Sequence, residues 1–247
     1  MPSWPSSETI SLKLYSGAIG SESQERPRVG RPRAYDRDAA LLAARDLFWE
    51  QGYERTSIAD LEERTGLNRS SLYQEFGSKQ KLFEASLECY ADRIISGLLA
   101  GLRGGTGTGL PPGDSQPAGS GLAAETGLAA VAALFRRVAE LCRCDAVVST
   151  RGCMMVNATA ELAAHDAGVR AHATAYRDRL RADFGMALSR AAAFGEIAPD
   201  TVQSRAALLA AALMGAWLSA RIDPADAGAL CETIAKEAES WRIAPPR

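Results

Sequence analysis

Apolar residues recur along this chain at the three-and-four spacing of helices buried on one side. Ala40, Ala44, Leu47, Phe48 and Gln51 make the first stripe, in a helix that Asp36 can cap and Gly52 can end. Ile58, Leu61 and Thr65 share one face of a short second helix. Ser57 opens it, with Asp60 at capping-box spacing. Gly66 stands where a chain leaving a helix needs positive φ, Leu67 can fold back under the turn, and Asn68 can cap a third helix in which Leu72 and Phe76 face inward. A longer stripe of Leu82, Phe83, Leu87, Tyr90 and Ile94 runs from a cap at Ser78 to about Leu102. Residues 103 to 121 hold mostly Gly, Pro, Ser, Thr and acidic or amide side chains and predict a disordered loop. Beyond it, helical patterns at 122–142, 151–164, 167–195, 201–222 and 225–242 continue with no strand signal between them, so the fold class is all-α.

The second and third helices with the glycine between them, Thr56 to Phe76, have the form of a helix-turn-helix. Arg69, Ser70, Ser71, Tyr73, Gln74 and Glu75 lie nearer the outside of the third helix and include a guanidinium, hydroxyls, a phenol and an amide. These groups suit base edges and phosphates. A helix pair of this kind also occurs in all-α proteins without nucleic acid, so a helical adaptor that binds only protein is the alternative of a different class. Salt-weakened retention on DNA separates the two, because only DNA binding releases counterions.

A longer stretch, Leu41 to Phe83, resembles the N-terminal domain of the tetracycline-repressor-like (TetR) family of bacterial transcription regulators. The resemblance rests on Ala44, Leu47-Phe48, Gly52-Tyr53, Thr56, Gly66, the run SLYQEF and the helix start from Lys79 to Leu82. Ala40, Glu62, Asn68 and Gln74 depart from the usual residue types. The resemblance implies a DNA-binding domain over 35–82 and a helical ligand-binding and dimerisation domain over 83–247, with a homodimer formed through the last two helices on a palindromic double-stranded DNA operator. It also implies phosphate contacts from Ser57, Tyr73 and Lys79, with Arg69, Ser70, Ser71 and Gln74 nearest the bases. Thr56 and Asn68 complete the expected DNA-binding set.

With a net charge of −2 over 247 residues, any DNA affinity must come from a local basic patch. Arg31 and Arg33, in the Pro-broken extension 1–34, form an extended arm suited to a minor groove. The first twenty residues lack an export-signal pattern and read as a disordered extension or an overcalled start. Five cysteines without such a signal argue against a disulfide framework and for a reducing cytoplasm. No apolar run approaches the ~20 residues of a membrane span.

Catalytic motifs are missing: the chain holds two histidines and neither HExxH nor GxSxG. The glycines of the loop spell no dinucleotide fingerprint, and no cofactor is expected. The stretch RGCMMVNATAEL resembles a Gly-Cys-aliphatic-aliphatic-x-Asn-x-x-x-Glu pattern in one branch of TetR-like regulators, some of which sense electrophiles, aldehydes or metals. Cys153 is therefore the redox-sensing candidate, provided that it is partly exposed with its thiolate favoured by Arg151 or a helix N-terminus. The packing reading comes first, since free cysteine is among the most buried residue types and methionine fills gaps in cores, so Cys153, Met154 and Met155 read as core residues before they read as a sensor. Cys142, Cys144 and Cys153 could together hold a soft metal, but Cys-x-Cys on a helix points two thiols about 200° apart. Phe135, Met154, Met155, Asn157, Tyr176, Phe184 and Trp217 are the candidate lining of a pocket for a small, mainly hydrophobic effector.

Overall fold

The carboxylate of Asp36 accepts the N–H groups of Asp38 and Ala39 and so opens α1 (Arg37–Gln51), which Gly52 closes. In this computed structural model residues 35–104 and 127–243 are described. The expected arm with Arg31 and Arg33, and most of the expected 103–121 loop, lie outside them. α1 buries Ala40, Ala44, Leu47 and Phe48 as its pattern predicts, and Trp49 in addition. α2 (Ile58–Thr65), α3 (Arg69–Phe76) and α4 (Lys79–Tyr90) follow, and α1 packs against α2 and α4. Three short helices make a thin core, and aromatic pairs thicken it. Phe48 meets Phe83 edge-on at 5.0 Å, and Tyr53 lies 5.0 Å from the same ring. Such pairs contribute roughly 0.5–1.5 kcal/mol each beyond the area they bury.

The fourth helix does not run on unbroken to Leu102. Ala91–Ile95 form a π turn, Ser96–Leu98 a short helix (α5), and Ala100–Arg103 a 3-10 turn. A π turn inserts one residue into the helical register, so the position beneath Tyr90 passes from Ile94 to Ile95. Ile95 is accordingly buried, while Ile94 is only partly covered. At the far end Arg103 grips the buried Asp183 with two bonds of 2.8 and 2.6 Å, fixing this run to the body.

The body comprises α6 (Gly127–Cys144), α7 (Ala146–Arg151), α8 (Met154–Leu162), α9 (Ala167–Ala193), α10 (Val202–Ala220) and α11 (Pro224–Ser240). Where the pattern predicts one helix over 151–164, the chain makes α7 and α8 with a turn between them. Asp145 caps α7, and Gly152, at φ +62°, ends it. A side chain at 152 would be strained there, and its Cβ would stand 2.8 Å from Arg221 Cγ. α11 lies along α6, and α10 packs on both α9 and α11. Phe135 and Phe184 stack at 5.9 Å in the core between α6 and α9. No helix among the described residues is long and apolar enough to cross a membrane.

Candidate nucleic-acid interface

The turn into α2 is held by a complete capping box. Asp60 donates its backbone N–H to Ser57 Oγ at 3.1 Å, and the Ser57 N–H returns a bond to the Asp60 carboxylate at 2.7 Å. Bonds from Ser57, first of all its backbone N–H, hold the Asp60 carboxyl below the usual carboxylate range. Gly66, at φ +71°, ends α2 in the left-handed region and donates to Glu62 O, and Leu67 is buried beneath it. Asn68 then caps α3 by accepting the Ser71 N–H at 2.9 Å. Both helix starts and the turn between them are thus fixed by side chains of the motif itself.

α3 buries Leu72 and Phe76 and turns Arg69, Ser70, Tyr73 and Gln74 to solvent, with Ser71 half-buried beside them. The Arg69 guanidinium lies 5.6 Å from the centre of the Tyr73 ring, which holds two donors on one stretch of surface. Lys79, at the start of α4, places its ammonium 4.2 Å from the centre of the Tyr53 ring, and Ser57 is exposed nearby in sequence to the exposed Arg55. Arg55 was not among the expected residues, although a cation two positions before an N-cap serine was there to be noticed. Glu75 turns inward instead of outward, bonding Tyr35 Oη at 2.6 Å and Arg37 at 2.7 Å. Thr56 corrects the expectation: it is fully buried, and its hydroxyl donates to Gly52 O at 2.6 Å, so it supports the turn and presents no group for DNA.

Several contacts tie these helices to the body, among them the Arg151–Glu50 pair at 3.1 Å. Trp49 donates its indole N–H to Gly152 O at 3.0 Å. The Glu161 carboxylate accepts the N–H groups of Tyr53 and Glu54 at 3.1 and 2.8 Å, in the turn that leads to Thr56 and Ser57. Gln80, one residue into α4, donates to Asp166 at 2.6 Å. Asn157 steadies the same seam from below by donating to Arg151 O at 2.7 Å. Gly152, Asn157 and Glu161, three of the four fixed residues of the short pattern that includes Cys153, therefore all serve the junction.

Two family models match the chain: "Bacterial regulatory proteins, tetR family" over residues 40–86 and "Tetracyclin repressor-like, C-terminal domain" over 127–241. Among solved structures, the TetR family transcriptional regulator CifR, as a cysteine mutant complexed with 26-bp operator DNA, is 30% identical with a TM-score of 0.64, over 85% of this chain and 98% of that one. This chain belongs to the TetR family. Curated relatives match over shorter stretches. The transcriptional repressor ComR of Escherichia coli K12 is 54% identical over 67 residues, 27% of this chain and 32% of ComR. The transcriptional activator FasR of Mycolicibacterium smegmatis is 35% identical over 72 residues, 29% of this chain and 33% of FasR. The chain thus spans about a third of the length of the curated relatives it matches.

Within this TetR-family body the seven expected pocket residues do not converge. Phe135 and Phe184 pack on each other, Met154 and Met155 are buried in α8, and Asn157 gives its amide N–H to Arg151 O while its buried Oδ1 has no partner among the described residues. Of the seven, Trp217 lines a space between α1 and the body with Trp49, Tyr90 and Val148, and Asn157 lines a different one with Phe48, Glu161 and Arg221. Cys153 is the N-cap residue of α8 and is fully buried, with its sulfur 3.7 Å from Tyr176 Oη. Burial pushes its thiol up, against opposing bonds from Tyr90 and the α8 backbone, and pushes Tyr90 and Tyr176 well above the ordinary phenol. Arg151 gives Cys153 no cationic neighbour, because it pairs with Glu50 at 3.1 Å and covers the Trp49 ring. Of the conditions for a reactive thiolate, the helix N-terminus is present, but exposure and the Arg151 charge are not, and burial outweighs the α8 backbone in this conformation. Cys142 is buried and Cys144 exposed, and among the described residues no cluster of His, Cys, Asp or Glu could hold a metal.

Proposed function

We propose that this chain is a ligand-responsive transcription regulator acting in the cytoplasm as a homodimer, each protomer laying Arg69–Phe76 into a major groove of a palindromic operator. The carrying observation is the outer face of α3, where Arg69, Ser70, Tyr73 and Gln74 are exposed on a helix whose start and inner face are locked. The complex of CifR with operator DNA supports that role for the equivalent head. Half-sites then lie about one DNA turn, ~34–36 Å, or a little more apart. Arg31 and Arg33 belong to the proposal as an arm over the minor groove, and Ser57, Tyr73 and Lys79 as phosphate contacts.

α10 carries an exposed stripe of Ser204, Leu208, Ala211, Gly215 and Leu218, with no charge on it, beside Leu230 of α11. Small and apolar residues at helical spacing suit close packing of α10 and α11 against their copies across a twofold axis. The effector is small and mainly hydrophobic, and its binding releases the operator, as a repressor requires. ComR is a repressor and FasR an activator, so the direction of regulation is itself testable. Tyr73→Phe should weaken binding to all DNA alike, whereas Gln74→Ala should relax base preference; unchanged binding in both variants would remove α3 from the interface.

A further inference from the structure

Glu62 of α2 reaches across the turn to the start of α3, where its carboxylate accepts the Arg69 N–H at 2.5 Å. Three N–H groups of α3 precede its first backbone bond, in which Leu72 donates to Asn68 O. Glu62 takes the first of them and the Asn68 side chain takes the third, that of Ser71. The arginines nearest in sequence are engaged elsewhere. Arg64 pairs with Glu50 at 3.3 Å, and the Arg69 guanidinium lies over the Tyr73 ring. The other acidic side chains of the two helices also point elsewhere. Asp60 belongs to the capping box, Glu75 is held by Tyr35 and Arg37, and Glu63 is exposed farther along α2. Glu62 therefore sets a carboxylate, with no ion pair to offset it among the described residues, at the tip of the helix that faces DNA.

We infer that Glu62 is a specificity-determining residue: its charge weakens contact with DNA backbone in general and leaves base contacts to decide where the protein stays. The inference rests on the reading above that α3 enters the major groove. There the first turn of a recognition helix lies against base edges, and its N-terminal end is the positive pole of the helix dipole, which attracts phosphate. A carboxylate bonded to that end offsets the attraction and repels phosphates that come near. On random DNA, backbone contacts supply nearly all of the affinity, so the repulsion is felt in full. On a matched site, base contacts from Arg69, Ser70 and Gln74 hold the helix over the base edges, and the repulsion counts for less. Binding to random sequence is thereby lowered more than binding to the operator.

The test measures the full-length protein by fluorescence anisotropy on two labelled DNA samples, a random-sequence duplex pool and the duplex enriched from it by selection on the parent. Glu62→Gln keeps an oxygen to accept the Arg69 N–H and removes the charge. Affinity for the random pool should rise about threefold, as for one unit charge removed from near a phosphate in water-like surroundings. The log-log salt slope should steepen by up to about 0.9. The enriched duplex should gain less, so the ratio of the two affinities falls. Glu62→Ala removes charge and acceptor together and should raise random-pool affinity likewise, while its melting temperature drops through the lost cap. That variant carries the same readout if Glu62→Gln fails to fold. A purely structural Glu62 would cost stability in Glu62→Ala but leave random-pool affinity at the parent value in both variants, which overturns the inference. So does a changed base preference at one position with no gain on the random pool, the result if the carboxylate reads a cytosine amino group. A parent with no salt-dependent affinity for DNA overturns the DNA-binding reading and this inference together, whereas a binding parent that Glu62→Gln merely matches overturns this inference alone.

Discussion

Trp49 donates its indole N–H to the carbonyl oxygen of Gly152 across 3.0 Å, although 103 positions of chain separate the two. The bond joins the helix that supports the recognition surface to the turn between α7 and α8. Both ends are buried, so removing the donor leaves a carbonyl without its partner. Trp49→Phe should lower unfolding free energy by about 1–3 kcal/mol, plus a packing loss, in urea titrations. A loss confined to a few tenths would show that the seam is loose in solution.

Glu161 makes a second bridge, with one carboxylate oxygen for each of the Tyr53 and Glu54 N–H groups. In Glu161→Gln one of those N–H groups faces an amide donor. Stability should fall by roughly 1–3 kcal/mol, and DNA affinity should fall severalfold, because the turn it holds positions Ser57. Equal DNA affinity in the variant and the parent would separate the turn from DNA binding.

Ser57→Ala removes the cap of α2 and should cost about 0.5–2 kcal/mol. The Asp60 carboxyl should also titrate closer to an ordinary aspartate, which a carbon-detected NMR titration reads. Its folded value lies below the unfolded ~3.9, so its contribution is present above that pH and is lost as pH falls through the folded value. In Ser57→Ala this acid-side loss should shrink.

At alkaline pH the buried thiols reverse the sign. Burial pushes Cys231 up to about 12, so the folded chain keeps a proton that the unfolded chain releases near ~8.5. Stability should therefore decline between these values, by up to ~1.4 kcal/mol per pH unit from this group, in reducing buffer. Cys231→Ala should flatten the slope even though the cavity it leaves lowers the whole curve. Alkylation should meanwhile reach exposed Cys144 well before buried Cys142, Cys153 and Cys231.

The recognition helices were legible because their determinants are local. Ser57 and Asp60, Gly66 and Leu67, and Asn68 and Ser71 act on neighbours within a few residues, and spacing alone exposes such pairs. The alternation of Leu72 and Phe76 with polar residues likewise told the inner face of α3 from the outer. Long-range partners left no such trace. Trp49 reads as one apolar residue off the stripe until Gly152 is seen against it, and Glu161 as a solvated charge until Tyr53 and Glu54 present their N–H groups. The π turn was hidden because one inserted residue changes the register without changing composition, moving burial from Ile94 to Ile95. Thr56 misled for a related reason: a hydroxyl beside a helix start suits a phosphate, but Gly52 O lies closer. The pocket candidates scattered because large apolar residues mark a core as readily as a cavity, and only the tertiary arrangement distinguishes Phe135 and Phe184 from Trp217.

DNA binding itself is tested most directly by selecting duplexes from a random pool on the full-length protein and footprinting the winners at several salt concentrations. A twofold-symmetric site should emerge, its half-sites about one turn or slightly more apart, with affinity falling steeply as salt rises and with Arg69→Ala and Gln74→Ala altering the bases preferred. A pool with no enriched sequence, or retention that ignores both salt and those substitutions, would contradict recognition of DNA through α3.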